Sequence, residues 1–370
     1  MRTLVVSDLH LGGRTGVDVL RHRPEALAAL TAALDGIDRL VLLGDTLELR
    51  HGPAREALAG AQPVLEAVGT ALGPDASVVL VPGNHDYSLV APWLDARVKP
   101  LGLETRAKPG TASPLARQVA GWLGAPDREV TVSYPGVWLR DDVWATHGHY
   151  LDPHGTVPTF ERLAAGVMGR MAGAVPEPTA TAEDYERILA PLYAWIHASA
   201  QRAGEGRFGA GAGRAGKAYT MLTGDGHRPL RARVIGAAFP LGIRGINLLG
   251  LGPVSSDLSG AALRRNALEA IGQVVERLGV DAGHVVFGHS HRTGPLPADD
   301  ASEWRAASGA RLHNSGSWVH EPSFTGADGA RSPYWPGGAV LVEDDGPPEL
   351  LRLLEDLPEP GDGVEGAGSG

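Results

Sequence analysis

An alternation of short apolar strands with alanine-rich helices near the start of the chain most constrains the fold. The strand-like runs are Thr3–Ser7, Arg39–Leu43 and Ser77–Val81, and the helical patterns between them are Pro24–Leu34 and Pro53–Leu72. This β-α-β-α-β order predicts a parallel sheet covered by helices. A polar cluster follows each run, at residues 7–10, 44–45 and 82–86. Because the carboxyl ends of parallel strands meet at one edge, the three clusters should converge.

The next stretch predicts hairpins, and strand character returns near the end of the chain. The expected strands are Glu129–Ser133, Val137–Leu139 and Val143–Thr146, with turns at Tyr134-Pro135-Gly136 and Asp141-Asp142. His147-Gly148-His149 follows as a fourth cluster, and Gly288-His289-Ser290-His291 follows a strand at His284–Phe287 as a fifth. Further strands are expected at Arg311–Asn314 and Ala339–Val342, and a strand or helix at Glu349–Glu355.

Residues 151–282 have a mostly helical pattern that interrupts the strand-rich regions. A capping box at Thr181-Ala182-Glu183-Asp184 predicts one helix start. We therefore expect a core formed by residues 1–150 and 283–357 and an inserted helical cap at 151–282. The Gly-, Pro- and acid-rich tail at 358–370 is expected to be disordered.

Composition limits the classes of site and partner. The chain has no cysteine, so a metal site would use His, Asp and Asn side chains, which suit Mn, Fe, Zn or Co. A net charge of -10 argues against nucleic acid as a partner. The N-terminus lacks a long apolar segment, which favours a cytoplasmic location. The apolar window Val234–Val254 contains Pro240, Arg244 and several glycines, which disfavours a membrane span.

Each polar cluster is weak evidence alone, because an Asp-x-His or Gly-Asp after a strand is more often an ordinary turn. Five such clusters, each directly after a predicted strand, are improbable as independent accidents. Jointly they resemble the calcineurin-like metallophosphoesterase superfamily, through Asp8-Leu9-His10, Gly44-Asp45, Gly83-Asn84-His85-Asp86, His147 and Gly288-His289-Ser290-His291. The resemblance implies an α/β (α+β) fold, a four-layer αββα sandwich, here with the inserted cap.

The resemblance also implies a dinuclear metal centre. Asp8, His10 and His291 resemble the ligands of one metal, and Asn84, His147 and His289 those of the second, with Asp45 as the bridge. A metal-bridging hydroxide would attack phosphorus in line. His85 resembles the phosphate-contacting or general-acid histidine of the family. Asp86 is expected to orient His85.

The substrate class stays open at this stage between a monoester, a diester and a pyrophosphate, either lipid- or nucleotide-linked. The segments around Asp8 and Asp45 resemble the UDP-2,3-diacylglucosamine hydrolase-like branch, which differs at His85, where it usually has Arg, and at His149, where it has an acidic residue. A catalytically inactive scaffold with the same fold is the alternative function.

The cap carries two further hints about partners. Its apolar residues suggest a hydrophobic substrate groove, although burial of the cap's own core explains them equally well: Phe160, Leu163, Val167, Met168, Met171 and Val234–Val254. Its basic residues suggest contact with phosphates or a peripheral contact with anionic lipid, and a solvated loop is the alternative: Arg202, Arg207, Arg214, Lys217, Arg228, Arg231 and Arg233.

Overall fold

Eleven hydrogen-bonded strands organise the part of the chain that the computed structural model describes, namely residues 1–156, 162, 164, 167, 168, 171, 173–202 and 259–358. In chain order the strands are β1 Thr3–Val6, β2 Arg39–Leu43, β3 Ser77–Val81, β4 Glu104–Ala107, β5 Val130–Arg140, β6 Val143–Thr146, β7 His284–Phe287, β8 Thr293–Gly294, β9 Arg311–Ser315, β10 Gly338–Val342 and β11 Glu349–Arg352. The spatial order is β11-β10-β1-β2-β3-β5-β6-β7-β9-β8, and β4 pairs with β5. The strands predicted at Val143–Thr146, His284–Phe287, Arg311–Asn314 and Ala339–Val342 are all present. The segment Glu349–Glu355, predicted as a strand or a helix, contains a strand.

The two halves of this arrangement each contain a parallel set of strands. In the first half, β1, β2, β3 and the start of β5 are parallel. In the second half, β6, β7 and β9 are parallel. Antiparallel pairs join β1 to β10 and β5 to β6. The strands that precede the polar clusters therefore end at common edges.

Strand β5 passes from the first half into the second, and the turn predicted at Tyr134-Pro135-Gly136 is wrong. Its beginning pairs with β3 through Val130 and its end pairs with β6 from Gly136 onward. The Thr146 hydroxyl donates to the carbonyl of Pro135 at 2.9 Å, and the Ser133 hydroxyl donates to that of Gly136 at 2.7 Å. These side chains satisfy the backbone where the strand changes partners, so proline and glycine do not end it.

A purely aliphatic cluster joins the two halves. Alternate residues of strands from both halves form it, as expected for the inner faces of a sandwich: Val5, Val41, Leu43, Val79, Val81, Val137, Leu139, Val143, Ala145, Val286, Val340 and Val342. The opposite faces of the strands pack into a second cluster with the helices. The α/β fold with a mixed sheet and covering helices is thereby confirmed.

The described helices are α1 Val19–His22, α2 Pro24–Ala33, α3 Ala54–Ala71, α4 Ala91–Ala96, α5 Pro109–Ala112, α6 Pro114–Trp122, α7 Ala182–Arg202, α8 Gly260–Arg277 and α9 Pro322–Thr325. Helix α7 begins where the capping box predicts, and the Thr181 N–H donates to the Asp184 carboxylate at 2.9 Å. Tyr185, Ile188 and Leu189 of α7 are buried in the core cluster. The boundaries of the cap stay a prediction.

Several predictions about the cap fall outside the described residues. These are the apolar Phe160, Leu163 and Val234–Val254, the basic Arg207, Arg214, Lys217, Arg228, Arg231 and Arg233, and the tail from 359. Of the described apolar residues, Met168 packs against the core, whereas Val167 and Met171 are exposed. Within the described ranges, no helix combines the length and apolar character that a membrane span requires.

Candidate metal centre

The five polar clusters lie together at the carboxyl ends of the strands, where backbone hydrogen bonds join them. The N–H of Asp8 donates to the carbonyl of Gly44 at 3.0 Å, and the N–H of His10 to that of Asp45 at 2.8 Å. The loop after β7 joins them, because the N–H of His289 donates to Asp8 Oδ2 at 3.0 Å. The structure thus brings all seven residues expected as ligands to one edge.

The backbone at this edge of the sheet is strained at several of the residues expected as metal ligands. In the described part of the chain, five non-glycine residues have positive φ, between 46° and 64°, and all five are expected ligands: Asp8, His10, Asp45, His289 and His291. A left-handed conformation costs a non-glycine residue about 1–3 kcal/mol and persists where the surroundings over-determine it. Such a concentration of strain is typical of a functional site.

Two glycines permit the close approach of these loops. Gly44 has a φ of 84°, and a Cβ there would overlap the ring of His147. A Cβ on Gly83 would overlap Asp45 Oδ1. Glycine at both positions therefore lets the loops after β2 and β3 touch the side chains of the site.

Asp8, His10 and His291 form the first group with metal-binding geometry. Asp8 Oδ2 accepts from the Ser7 hydroxyl at 2.5 Å, while Oδ1 lies 3.3 Å from His291 Nε2 and 3.9 Å from His10 Nε2. The two Nε2 atoms lie 3.1 Å apart. One carboxylate oxygen and two ring nitrogens thus converge, as the ligands of one cation would.

Asp45, His147 and His289 form the second group. His147 Nδ1 donates to the carbonyl of Leu43 at 3.0 Å, which directs Nε2 towards Asp45 Oδ2 at 3.2 Å. His289 Nε2 is bonded to Asp152 Oδ1 at 2.9 Å, which leaves Nδ1 for a cation.

Asp45, a member of the second group, also lies close to His10 of the first. Its Oδ1 accepts from the N–H of His85 at 2.8 Å. Its Oδ2 lies 3.2 Å from His147 Nε2 and 3.8 Å from His10 Nε2, so one oxygen faces a nitrogen from each group. This placement suits a carboxylate shared by two cations.

Asn84 tests whether the donor set fits a cation. With its amide nitrogen turned inward, Asn84 donates to His147 Nε2 at 3.2 Å and to Asp45 Oδ2 at 3.1 Å, and its oxygen accepts from Arg50 Nη1 at 2.9 Å. With its oxygen inward, that oxygen lies 3.2 Å from His147 Nε2. A carboxylate oxygen, an amide oxygen and an imidazole nitrogen then face one another, an arrangement that either a proton on His147 or a cation between them satisfies. The residues therefore fit a metal.

The charges at the site favour a bound cation. Burial lowers the pKa of His147, but the carboxylates of Asp45 and Asp8 raise it to about 10. Burial also lowers the pKa of His10, while its bond to Glu48 and the charge of Asp45 raise it to about 9. Without metal both rings therefore hold a proton at neutral pH. A divalent cation would replace these protons as the counter-charge of the buried carboxylates.

Glu48, and not Asp86, is the carboxylate that pairs with His85. The His85 Nδ1–H donates to Glu48 Oε2 at 2.6 Å, and the same oxygen lies 3.1 Å from His10 Nδ1. The carboxylate of Asp86 instead accepts the backbone N–H groups of Thr46, Leu47 and Gly83, at 2.8, 3.3 and 2.7 Å. The role expected for Asp86 is thus corrected: it ties the loop after β2 to the loop after β3.

The sequence reading missed Glu48 and Asp152. Glu48 stands three residues after Asp45 between two buried leucines, so an acidic residue at an apolar position was the available signal. Asp152 is buried and carries no motif. The end of β9 also lies at this edge, where Asn314 and Ser315 bond Gly288 and Ser7 at 3.1 and 2.7 Å.

Comparison with known proteins gives a family match over part of the chain and distant structural likenesses. Residues 1–167 match the family model described as calcineurin-like phosphoesterase. No curated protein gives a significant match. A dimetal phosphatase from Danio rerio is a similar solved structure, 12% identical, with 95% of this chain and 99% of that chain covered and a TM-score of 0.33, a likeness that says nothing about function.

The matched region contains five of the seven residues that were expected as ligands: Asp8, His10, Asp45, Asn84 and His147. Its match does not single out the UDP-2,3-diacylglucosamine hydrolase-like branch. Residues 1–167 are thus similar to the calcineurin-like phosphoesterase family, and the His/Asp groups gathered at the sheet edge could hold metal ions.

Proposed function

We propose that this enzyme hydrolyses a small-molecule phosphoester with two divalent cations, one held by Asp8, His10 and His291 and the other by Asn84, His147 and His289, with Asp45 shared. The position of Asp45 Oδ2 between ring nitrogens of both groups carries the proposal. Two bound cations would neutralise phosphate charge and lower the pKa of water. The residues around them then determine orientation and proton transfer.

His85 and Arg50 are the side chains that would act on the phosphate. The side chains of His85 and His291 are 21% and 29% exposed, so these two rings lie at the open side of a largely buried cluster. Arg50 Nη1 lies beside the Asn84 amide, at the same side. A guanidinium and an imidazole next to a cation pair suit the negative oxygens of a phosphoester.

The protonation state of His85 follows from its surroundings. Burial lowers the pKa of His85 to about 4, although the neighbouring Glu48 raises it. The neutral ring donates Nδ1–H to Glu48 and therefore presents an unprotonated Nε2. A phosphate group would add negative charge near this nitrogen and raise its pKa, which is the condition for donating a proton to a leaving oxygen.

A substrate screen tests the proposal. Metal-free protein would be loaded with Mn²⁺, Co²⁺ or Zn²⁺ and assayed against an aryl phosphate monoester, an aryl diester and a pyrophosphate, with the metal content measured in parallel. We expect close to two ions per chain and hydrolysis that a chelator abolishes. Neither bound metal nor hydrolysis, in any metal, would favour the inactive scaffold instead.

His85 is expected to affect turnover without affecting metal content. In His85→Asn we expect kcat to fall by about 10²–10³-fold, because proton transfer to the leaving oxygen is lost. Metal content should stay at the wild-type level, because both proposed cations are held without His85, whose Nδ1 bonds Glu48 and whose Nε2 is left for the phosphate. His22→Asn, at an exposed histidine, is the matched control. Equal loss of metal and activity in His85→Asn would show that His85 is a ligand.

A further inference from the structure

The loop between β6 and the cap carries a buried carboxylate for which the proposed function has no role. Asp152 is 5% exposed, and its Oδ1 lies 2.9 Å from His289 Nε2. Its other oxygen, Oδ2, is buried and has no hydrogen-bond partner among the described residues. A carboxylate in this state is costly to bury unless its charge is used.

This loop is fixed to cap helix α7 on both sides of Asp152. The Tyr150 hydroxyl donates to Glu186 at 2.6 Å, and the ring of Tyr150 stacks on that of Tyr185, with centroids 4.6 Å apart. His154 Nε2 lies 2.8 Å from the Tyr185 hydroxyl. Asp152 therefore sits between two anchors on the same helix, and its position depends on where α7 docks.

The bond to Asp152 determines which nitrogen of His289 can bind a cation. A carboxylate that accepts the Nε2–H fixes the ring in the tautomer with an unprotonated Nδ1 and makes Nδ1 more basic. Burial lowers the pKa of His289, and Asp152 raises it above its ordinary value. Asp152 thus occupies Nε2 of His289, which leaves Nδ1 as the nitrogen available to the group of Asp45 and His147.

We propose that Asp152 is a positioning residue for His289, through which the docked α7 helix supports the cation shared by Asp45, His147 and His289. The inference rests on the proposed function. It does not extend to the cation at Asp8, His10 and His291, whose histidines bond to other groups. His10 Nδ1, for instance, is held by Glu48. Loss of Asp152 should therefore weaken one of the two metal sites selectively.

The test is a calorimetric titration of metal-free protein with Mn²⁺. It is carried out on wild type, Asp152→Asn and Asp152→Ala. We expect one of the two sites to lose about 10-fold in affinity in Asp152→Asn and about 100-fold in Asp152→Ala, with the other unchanged. The visible absorption of Co²⁺-loaded protein should change in the same variants, because one ligand reorients. Asp184→Asn, at the start of α7 and away from His289, is the control for a general weakening of the cap.

The outcomes separate the two proposals. Wild type that takes up fewer than two ions overturns the proposed function and this inference together. Wild type with two ions and an Asp152→Asn variant with unchanged affinities overturns only the role of Asp152. Equal weakening of both sites, or the same loss in Asp184→Asn, shows a purely structural role and also overturns it. The near-isosteric asparagine variant keeps the test valid if Asp152→Ala does not fold.

Discussion

Asp45→Ala is expected to lower kcat by about 10³-fold or more and to reduce bound metal below one ion per chain. The physical reason is that Asp45 Oδ2 faces ring nitrogens of both metal groups, so its removal takes a ligand from each proposed cation. Its Oδ1 also accepts the N–H of His85, so the loop after β3 loses an anchor. The measurement is metal content after desalting, together with kcat on an aryl phosphate.

Two further variants make this result interpretable. Asp45→Asn retains the shape of the side chain and removes its charge, so it should also lose metal if charge is what binds it. Asp75→Ala, at an exposed turn position, should match wild type in both measurements. Retention of two ions and of kcat within tenfold in Asp45→Ala would show that Asp45 is not the shared ligand.

The sequence sufficed to predict where the expected ligands meet because that prediction depends only on strand ends. Asp8, Asp45 and Asn84 each follow a strand of one parallel set, and parallel strands end at one edge. Strand bounds such as Arg39–Leu43 and Ser77–Val81 follow from apolar runs closed by polar residues. No knowledge of side-chain packing was needed at that level.

Side-chain partners could not be predicted in the same way. Asp86 is adjacent to His85 in sequence, yet successive side chains in a turn point in different directions. The carboxylate of Asp86 therefore bonds the backbone, while the carboxylate of Glu48 bonds the ring of His85. The role of Asp152 depends on the docking of α7, which is distant in sequence. Pro135 stands inside a strand because hydroxyl groups on other residues satisfy the backbone near it. Each of these depends on tertiary contacts.

The docking of α7 itself depends on a buried glutamate that bonds three tyrosines. Tyr134 and Tyr150 each donate to Glu186 Oε1 at 2.6 Å, and Tyr87 donates to Oε2 at 2.7 Å. These tyrosines come from the loop after β3, from β5 and from the loop after β6. One carboxylate on α7 therefore joins three other segments next to the proposed metal centre.

Glu186→Ala is expected to lower the free energy of unfolding by about 3–5 kcal/mol, because buried tyrosine hydroxyls lose their acceptor at about 1–3 kcal/mol each. Tyr134 retains a contact with His149 Nε2 at 3.0 Å, which keeps the loss below the full sum. Denaturant unfolding of metal-free protein measures it. Glu66→Ala, on the exposed side of α3, should change stability by no more than about 0.5 kcal/mol. A similarly small change in Glu186→Ala would show that the tyrosines find other partners.

The burial of Glu186 also predicts how the stability of the protein depends on pH. Burial raises the pKa of Glu186 above 4.5, although the bonds from its tyrosines act in the opposite direction. The folded state therefore binds this proton more tightly than the unfolded state, so its contribution to stability falls as pH rises above 4.5. Glu186→Gln keeps an acceptor and has no proton to lose. The stability of wild type relative to Glu186→Gln should accordingly decrease between pH 4.5 and the raised pKa. If the stability of wild type relative to Glu186→Gln instead increases with pH, the tyrosine hydroxyls outweigh burial and hold Glu186 ionised.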